Sequence, residues 1–435
     1  MDSEINISNI SVTFVNMPLR ESAPPVVAPE GPALLASKLR KAGVKVSILD
    51  LNGYRIKDKY AESLGLKSGR HLTIKEAELY LIAHLNKHGD QDVIAFSGII
   101  TTLKWQEEFA KIVKKYQPYT FLVSGNGLAT EIKFGLFNWI PELDAIARSE
   151  GDNVILDIVK DAAAIKKYGK TGAILGGKVS KHYKQMYRGV HRFVYEGGRP
   201  KNLDEIEYAA WDLLSSDPFG NNLLEEYIKV PIWGLAANNS SAAPFQMKRS
   251  LNTVSSRGCP YSCAFCYRGA QGERNYGIRS AENLAKQICN YTDSYNLDFI
   301  GYVDDNFAVS KKRMALLPKV FKDYGVKIRW GTHTRMDEAD ERLFPMSDAG
   351  CVYIGFGAES AHEKTLNRMK KGGFILRNGL EQIKVNGLNY NFPKTMTTAI
   401  KNCHRSGIHA NCTWIMGYPG ETLSDLQTSV AFIKW

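Results

Sequence analysis

The chain has 435 residues, of which 44% are hydrophobic and 23% charged, so its length allows about two or three globular domains. Its formal net charge is +11, but the basic residues are scattered, which indicates a solvated basic surface and gives no reason to expect nucleic acid as a partner. No run of about 18 apolar residues predicts a transmembrane helix, and the N-terminus lacks the basic and apolar regions of a secretory signal, so we expect a cytoplasmic protein without membrane contact.

Strand and helix patterns alternate along the first 160 residues. Short apolar or alternating segments predict strands, and segments with apolar residues at helical spacing predict helices. Strand patterns lie at residues 12–16, 44–50, 92–96, 119–123 and 143–147, and helical patterns at residues 31–42, 76–87 and 105–115 and after Glu150. The alternation predicts a parallel sheet with helices on both faces, in which ligands bind beyond the carboxyl ends of the strands.

The rest of the chain divides into a less regular stretch and a second alternating series. Residues 161–250 are punctuated by Gly, Asn, Ser and Pro, which predicts a connector between two domains. Beyond it, strand patterns lie at residues 297–303, 326–331, 352–356 and 410–416, and helical patterns at residues 281–295, 311–324, 337–349 and 395–406. We therefore expect a first domain over residues 1–160, a connector over residues 161–250 and a partial β/α barrel over residues 251–435.

Three of the seven cysteines fall within eight residues, and none of the seven precedes them. Cys259, Cys263 and Cys266 have the spacing C-x3-C-x2-C, and an odd number of cysteines with this packing indicates a metal site in a reducing compartment. Three thiolates on one loop can hold three irons of a four-iron cluster, and the fourth iron is then open to a cofactor. The alternative is three buried or zinc-binding cysteines, but zinc sites usually have a fourth ligand and no His lies close to the loop.

The other cysteines carry no such pattern. They lie in helix or strand patterns, where a free Cys behaves as a small hydrophobic residue. They are Cys289, Cys351, Cys403 and Cys412.

The segment RGCPYSCAFCY over residues 257–267 resembles the signature of the radical S-adenosylmethionine (SAM) superfamily. Four later segments, each at the end of a strand pattern, extend the resemblance: DDNF at 304–307, WGTHTRMD at 330–337, GFGAES at 355–360 and IMGYPGE at 415–421. The resemblance implies a [4Fe-4S] cluster held by Cys259, Cys263 and Cys266, with SAM bound at its open iron. It implies SAM contacts from Phe265, Tyr267, Asp304, Asp305, Arg335, Glu359, Ser360 and Gly417.

The family assigns different parts of SAM to these segments. The acidic pair Asp304 and Asp305 is implied to bind the amino group, and Glu359 and Ser360 are implied to face the ribose and the methionine. Gly417 belongs to the element that supports the adenine. Phe265 and Tyr267 are expected either to shield the cluster or to pack in the core.

The N-terminal half resembles the flavodoxin-like, Rossmann-type cobalamin-binding domain of the cobalamin-dependent branch of this superfamily. The segments that carry this resemblance are residues 24–43, 97–101, 124–130, 149–152 and 203–214, the last of which matches the segment that joins the two domains. The small residues of the two ligand loops, 97–101 and 124–130, would let the backbone approach a large ligand closely. The first His is His71 and no D-x-H-x-x-G loop exists, so no His from such a loop would bind cobalt. The alternative is a flavodoxin-like domain that binds another ligand or only packs. The implied cobalamin contacts are Asn16, Pro18, Gly31, Ser97, Gly98, Ile99, Thr101, Ser124, Gly125, Asn126, Glu150 and Gly151.

Two features depart from this family. More residues lie between Gly373 and Thr395 than we expect between these family elements. They predict a substrate-facing excursion or a surface loop. A sixth strand and a C-terminal domain would normally follow Trp435, so we expect a radical SAM domain that is truncated at that end or a barrel that is unusually open.

The resemblance implies that the reduced cluster gives one electron to SAM, whose C–S bond breaks, and that the resulting 5′-deoxyadenosyl radical takes hydrogen from an unactivated carbon. Methylcobalamin would then methylate that carbon. The branch also contains an anaerobic porphyrin ring cyclase, so oxidative cyclisation without methyl transfer is one alternative, and a truncated, non-catalytic cobalamin-binding protein is another. A transfer-RNA methylthiotransferase would need N-terminal cysteines, which are absent. We expect a small-molecule or peptide substrate and an electron donor such as flavodoxin or ferredoxin.

Overall fold

A computed structural model describes residues 5–19, 27–53, 72–229, 247–267 and 275–435. Parts of the predicted segments 24–43 and 161–250, together with His71, lie outside the described residues. Contacts divide the chain into two compact units, Met1–Lys201 with Glu205–Lys229, and Asn202–Asp204 with Val230–Trp435.

The first unit contains a seven-stranded sheet with the order β2-β1-β3-β4-β5-β7-β6. Neighbouring strands are parallel, except that β6 and β7 are antiparallel. The order of its first five strands is that of flavodoxin-like folds, whose ligand crevice lies between β1 and β3, where the strand order reverses. The strands are β1 (Ser11–Asn16), β2 (Lys45–Asp50), β3 (Val93–Ser97), β4 (Phe121–Gly125), β5 (Ala145–Arg148), β6 (Tyr183–Tyr187) and β7 (Val190–Glu196).

Eight helices accompany these strands in the described part of the first unit. Thr73 begins the second of them with a capping box to Glu76, in which each residue satisfies a backbone N–H of the other. Apolar residues such as Leu49, Ile94 and Phe109 are buried between sheet and helices and form the core. The helices are α1 (Glu30–Lys41), α2 (Ile74–His88), α3 (Leu103–Tyr116), α4 (Asn126–Ile132), α5 (Leu136–Trp139), α6 (Ile155–Tyr168), α7 (Lys170–Leu175) and α8 (Leu223–Lys229).

The first unit extends beyond the predicted boundary at residue 160. Strand β7 pairs with β5, and Phe193 opposes Ala145 in that pairing. Phe193 and Tyr195 are fully buried, so their strand belongs to this core, and most of the described part of the predicted connector lies with the first unit. The roles predicted for the separate domains stay predictions.

The second unit contains a five-stranded parallel sheet with the order β16-β13-β12-β11-β8. Two short antiparallel pairs accompany it, β9 with β10 and β14 with β15. The strands are β8 (Ser250–Thr253), β9 (Ser256–Arg257), β10 (Gly277–Ile278), β11 (Phe299–Tyr302), β12 (Arg329–Arg335), β13 (Cys351–Glu359), β14 (Leu380–Val385), β15 (Leu388–Pro393) and β16 (His409–Trp414).

Helices follow the parallel strands of the second unit, as in a partial β/α barrel. The fully buried rings of Tyr302, Phe307 and Trp330 pack against one another with centroids 5.1 to 5.8 Å apart. The helices are α9 (Ala281–Tyr295), α10 (Lys311–Asp323), α11 (Leu343–Asp348), α12 (Glu363–Arg368), α13 (Gly372–Ile375), α14 (Lys394–Ser406) and α15 (Leu423–Lys434).

The predicted α/β fold, with a flavodoxin-like sheet followed by a partial barrel, is confirmed. The predicted excursion at residues 373–395 contains the hairpin β14–β15, which pairs with neither of the two large sheets. Among the described helices, none combines the length and the apolar character that a membrane crossing requires.

Candidate active site

The three predicted cluster ligands lie on the loop that follows β9. Gly258 begins this loop with φ of +82°, a conformation that favours glycine, and its N–H donates to Asp305 Oδ2 at 3.1 Å. The Cys263 thiol is buried, while Cys259 and Cys266 are partly buried. We refer to residues 258–267 as the cysteine loop.

Asp304 anchors the strand that leads into the cysteine loop. Its carboxylate accepts hydrogen bonds from the Ser255 N–H at 2.7 Å, from the Ser255 hydroxyl, and from the Ser256 hydroxyl at 2.6 Å. Burial raises the pKa of this carboxyl, while Arg313 and the two serines oppose the shift. Because Asp304 is 4% exposed and its oxygens already accept three hydrogen bonds, the structure places it as a support of the loop.

A second buried network ties the cysteine loop to the end of β12. The Tyr261 hydroxyl donates to Glu338 Oε1 at 2.7 Å, and the Asn306 amide donates to the same oxygen at 3.1 Å. The Thr334 hydroxyl lies 2.9 Å from Glu338 Oε2 and 2.7 Å from Asn306 Oδ1. Burial raises the pKa of the Glu338 carboxyl, while the hydrogen bonds from Tyr261 and Thr334 oppose the shift. These contacts hold the ends of β11 and β12 in a fixed position relative to the cysteines.

Arg335, the last residue of β12, contacts a cysteine directly. Its Nη1 donates to Cys263 Sγ at 3.2 Å, and its Nε donates to Asp337 Oδ1 at 2.8 Å. The guanidinium carbon lies 4.0 Å from the centre of the Tyr261 ring. Arg335 and Asp337 form a buried ion pair, with 8% and 2% of their side chains exposed.

A buried cation contacts the end of β13, at the same edge of the sheet. Lys371 Nζ lies 3.2 Å from Glu359 Oε1 and donates to the Gly357 carbonyl, and the Lys371 side chain is 3% exposed. The same Nζ lies 5.9 Å from the centre of the Phe265 ring on the cysteine loop. Glu359 itself has a positive φ of 64°, which is strained for a residue with a side chain.

The remaining predicted SAM contacts differ in accessibility. Ser360 is 1% exposed, and its hydroxyl lies 3.2 Å from the Ser429 hydroxyl on α15. Gly417 is exposed, with φ of +74°, and Phe265 and Tyr267 are also exposed. The structure therefore brings Asp305, Arg335 and Glu359 close to the elements that hold the cysteines, and turns Ser360 towards a helix. Which atoms contact SAM stays a prediction.

The chemistry of the donors around the cysteines fits an iron–sulfur cluster. Zinc sites gather four ligands around one ion, whereas a four-iron cluster takes each thiolate on a different iron. Three thiols on one loop, with a guanidinium beside one of them, match the second arrangement.

In the first unit, the loops after β3, β4 and β5 are hydrogen-bonded to one another at one edge of the sheet. The Asn126 amide donates to Ser97 Oγ at 3.3 Å, which joins the loops after β3 and β4. The Thr130 hydroxyl donates to the Asn126 carbonyl and accepts from the Ser149 N–H, both at 2.9 Å, which joins the loop after β5. Ile99 and Ile100 expose 44% and 61% of their surface beside these loops. This edge offers small residues and apolar surface to a ligand.

The predicted cobalamin contacts separate into accessible and buried residues. The Asn16 amide donates to Asp50 Oδ1 at 2.8 Å, and the Ser124 hydroxyl donates to Gln106 Oε1 at 2.7 Å, so both side chains are used inside the fold. Residues with accessible surface are Gly31, Ser97, Ile99, Thr101, Gly125, Asn126, Glu150 and Gly151. The buried ones are Asn16, Pro18, Gly98 and Ser124.

Sequence reasoning missed the residues that support these sites. Gln106 lies on α3 and bridges Ser124 and Thr102, and nothing in its helical pattern distinguishes it. Arg199 Nε donates to Glu150 Oε1 at 2.7 Å. The sequence GGRP, in which Arg199 lies, predicts a turn and does not indicate this contact. Glu338, shortly after β12, and Lys371, shortly after α12, likewise lie in no motif that marks them.

Comparison with known proteins gives matches for both units. Residues 253–433 match the family model described as the Radical SAM superfamily. An uncharacterised methyltransferase of Pyrococcus horikoshii is 25% identical over 356 residues, which is 81% of this chain and 66% of that protein. An anaerobic magnesium-protoporphyrin IX monomethyl ester cyclase of Rubrivivax gelatinosus is 23% identical over 311 residues, which is 68% of this chain and 49% of that protein.

Among solved structures, the fold is similar to that of OxsB, a cobalamin-dependent SAM radical enzyme whose structure holds aqua-cobalamin and SAM. The TM-score is 0.67 at 18% identity, over 98% of this chain and 52% of that one. The likeness at this identity concerns the fold, which extends through both units. This chain spans less than two thirds of the length of each of these relatives.

Proposed function

We propose that the chain, whose residues 253–433 match the Radical SAM superfamily model, is a radical SAM enzyme that cleaves SAM reductively with a [4Fe-4S] cluster bound to Cys259, Cys263 and Cys266. We propose further that the first unit binds cobalamin and that the reaction methylates an unactivated carbon of a small-molecule or peptide substrate. The observation that carries the proposal is the cysteine loop itself: three thiols follow one short strand, and Arg335 contacts one of them.

When bound and reduced, the cluster would supply one electron to the sulfonium of SAM, whose C5′–S bond would break to give methionine and a 5′-deoxyadenosyl radical that takes a hydrogen atom from the substrate. The electron would come from an external donor such as flavodoxin or ferredoxin. The residues of this chain hold the parts in place. Asp304 fixes Ser255 and Ser256 before the loop, and the Tyr261–Glu338 hydrogen bond fixes the middle of the loop.

We propose that residues at the same edge of the barrel sheet bind SAM. Asp305 is exposed beside the start of the cysteine loop and provides a carboxylate for the amino group. Glu359, whose side chain is 12% exposed and pairs with Lys371, provides a second carboxylate for ribose hydroxyls. Parallel β/α folds bind their ligands at the carboxyl ends of the strands, and each of these residues lies at or shortly after such an end.

Cobalamin would supply the methyl group in the methylation. The residues proposed to hold it are the accessible ones on the hydrogen-bonded edge of the first unit, above all Ser97, Ile99 and Asn126. Their side chains and small neighbours leave the edge open, and a flavodoxin-like sheet binds ligands there. The similar fold of OxsB, which holds aqua-cobalamin, supports this assignment.

Anaerobic reconstitution with iron and sulfide tests the proposal. We expect ~4 irons per chain, a reduced-cluster electron paramagnetic resonance (EPR) signal, and release of 5′-deoxyadenosine from SAM when a low-potential reductant is added. Cys263→Ala should lose the iron and the cleavage, whereas Cys289→Ala, a control in α9, should keep both. A wild-type protein that binds zinc or no metal would contradict the proposal, as would a cluster-loaded protein that leaves SAM intact.

Oxidative cyclisation is a second candidate, which the similarity to the Rubrivivax gelatinosus cyclase favours. The two reactions differ in the mass of the product. A methylated product gains one methyl group, whereas a cyclised product gains none. Reconstitution with and without added cobalamin, followed by mass spectrometry of the product, separates them. Retention of cobalamin without SAM cleavage would instead identify a non-catalytic cobalamin-binding protein.

A further inference from the structure

We propose that Arg335 sets the reduction potential of the cluster by donating a hydrogen bond from its charged guanidinium to the Cys263 thiolate. This inference rests on the proposed function, because it needs the cluster on the cysteine loop. The observation behind it is the 3.2 Å contact between Arg335 Nη1 and Cys263 Sγ, in which both residues are buried.

The guanidinium is held rigidly in this contact. Asp337 accepts from its Nε at 2.8 Å, and the Tyr261 ring lies 4.0 Å from its central carbon. The Phe374 ring approaches the same carbon at 5.9 Å. A planar guanidinium fixed by an ion pair and aromatic rings loses little freedom when it donates to sulfur. The contact is therefore built into the fold.

The surroundings make the charge of Arg335 effective. Only 8% of its side chain is exposed, so water and salt screen its field weakly. Its Nη2 is also buried and has no hydrogen-bond partner within the described ranges. A buried N–H of this kind indicates an acceptor that the described chain does not provide, such as a cluster sulfide or a bound cofactor.

The effect on the potential follows from electrostatics. Reduction adds one electron to the cluster, so the negative charge on its thiolates increases. A cationic hydrogen-bond donor stabilises the reduced form more than the oxidised form, and hydrogen bonds to the sulfurs and net charge are known to set such potentials. Arg335 therefore raises the reduction potential of the cluster, and the negative charge of the Asp337 carboxylate partly offsets this increase. The two residues should act in opposite directions.

A redox titration of the full-length, anaerobically reconstituted protein tests the inference. The variants are Arg335→Gln, Arg335→Lys and Asp337→Asn, and Arg329→Gln at the opposite end of β12 is the matched control. Dithionite supplies the electron, and EPR measures the reduced fraction of the cluster at a series of fixed potentials. Iron content is measured first, so that every comparison is made between clusters of equal occupancy.

At the wild-type midpoint potential, Arg335→Gln should lower the ratio of reduced to oxidised cluster about tenfold, which is a shift of ~59 mV for one electron. Arg335→Lys should recover part of that loss, because it keeps the charge. Asp337→Asn should raise the ratio, and Arg329→Gln should leave it unchanged. A loss of packing alone would not move Arg335→Gln and Asp337→Asn in opposite directions.

The outcomes separate this inference from the proposed function. A wild-type protein without a cluster would contradict the proposed function. A normal cluster in Arg335→Gln with the wild-type midpoint would overturn the inference alone. If Arg335→Gln takes up no iron, Asp337→Asn decides the question: a raised midpoint supports the inference, and an unchanged or lowered midpoint overturns it.

Discussion

Asp304 and Asp305 are adjacent in the chain but have different surroundings. Asp304 is buried and accepts three hydrogen bonds from Ser255 and Ser256, whereas Asp305 is exposed and accepts from the Gly258 N–H. A sequence with two consecutive carboxylates does not tell which one faces inward, because that depends on how the chain turns after β11. The structure assigns the supporting role to Asp304, whereas Asp305 is exposed beside the start of the cysteine loop.

Asp304→Asn should weaken the attachment of the cysteine loop. The amide presents an N–H to serine groups that need an acceptor, and hydrogen bonds to a charged group contribute ~1.5–3 kcal/mol. We expect a loss of about 2 kcal/mol in the free energy of unfolding, with reduced iron uptake on reconstitution. Denaturant unfolding and iron analysis measure these changes. The control is Asp323→Asn, whose side chain is 55% exposed and pairs only with Lys319 among the described contacts; equal effects of the two changes would contradict the assignment.

Side-chain contacts between distant residues are the part of the site that the sequence could not predict. The cluster cysteines were predictable because their spacing is local, and a loop after a strand keeps them together. Arg335 was expected near the cofactor only by resemblance. Its contact with Cys263 joins residues that are 72 positions apart and depends on the register of β12 against β11. Lys371 and Gln106 show the same limit, since burial of one polar side chain leaves no periodic signal.

At the scale of elements, the hairpin β14–β15 carried a local signal. Asn386 and Gly387 separate two six-residue strands and have φ of +49° and +86°, as a tight turn of left-handed residues requires. An Asn-Gly pair between alternating segments is a strong sequence indication of such a hairpin. The sequence therefore contained enough to predict a hairpin within the excursion at residues 373–395. The pairing of β7 with β5 was different, because it joins segments that α6 and α7 separate.

The loop between β3 and α3 leaves no room for a side chain at Gly98. A Cβ there would lie 2.1 Å from Thr102 Oγ1 and 2.8 Å from Gln106 Nε2. Overpacking of this kind costs about 1–3 kcal/mol. Because Gln106 also holds Ser124, Gly98→Ala should disturb the loops after both β3 and β4. We expect lower stability of the first unit and at least a tenfold weaker retention of cobalamin, measured by gel filtration and absorbance.

Gly127→Ala is the matched control for this change. It adds the same methyl group on the neighbouring loop, where the nearest atom would be Ile99 Cγ2 at an ordinary 3.6 Å. Gly127 lies in α4, so Ala should leave stability unchanged or improve it by up to ~1 kcal/mol. Cobalamin retention equal to wild type in Gly98→Ala would show that the edge of the sheet does not bind this ligand.

At the scale of the whole molecule, two compact units with separate sheets should respond to their cofactors separately. A ligand that binds only the folded form stabilises the unit that holds it, by ~2.7 kcal/mol at a free concentration one hundred times its Kd. We expect added cobalamin to slow hydrogen exchange in β1 and β3 of the first unit. Cluster assembly should instead slow exchange in β11 and β12 of the second unit, measured by mass spectrometry of peptides.

Two variants make this prediction specific. Gly98→Ala should lose the protection by cobalamin and keep the protection by the cluster, whereas Cys263→Ala should do the reverse. This pattern follows if each cofactor binds at the carboxyl edge of its own parallel sheet, because the strands nearest a ligand gain most from it. Protection of β11 and β12 by cobalamin, in a protein without a cluster, would contradict the proposed cobalamin site in the first unit. Protection of β1 and β3 by the cluster alone would contradict the proposed cluster site in the second unit.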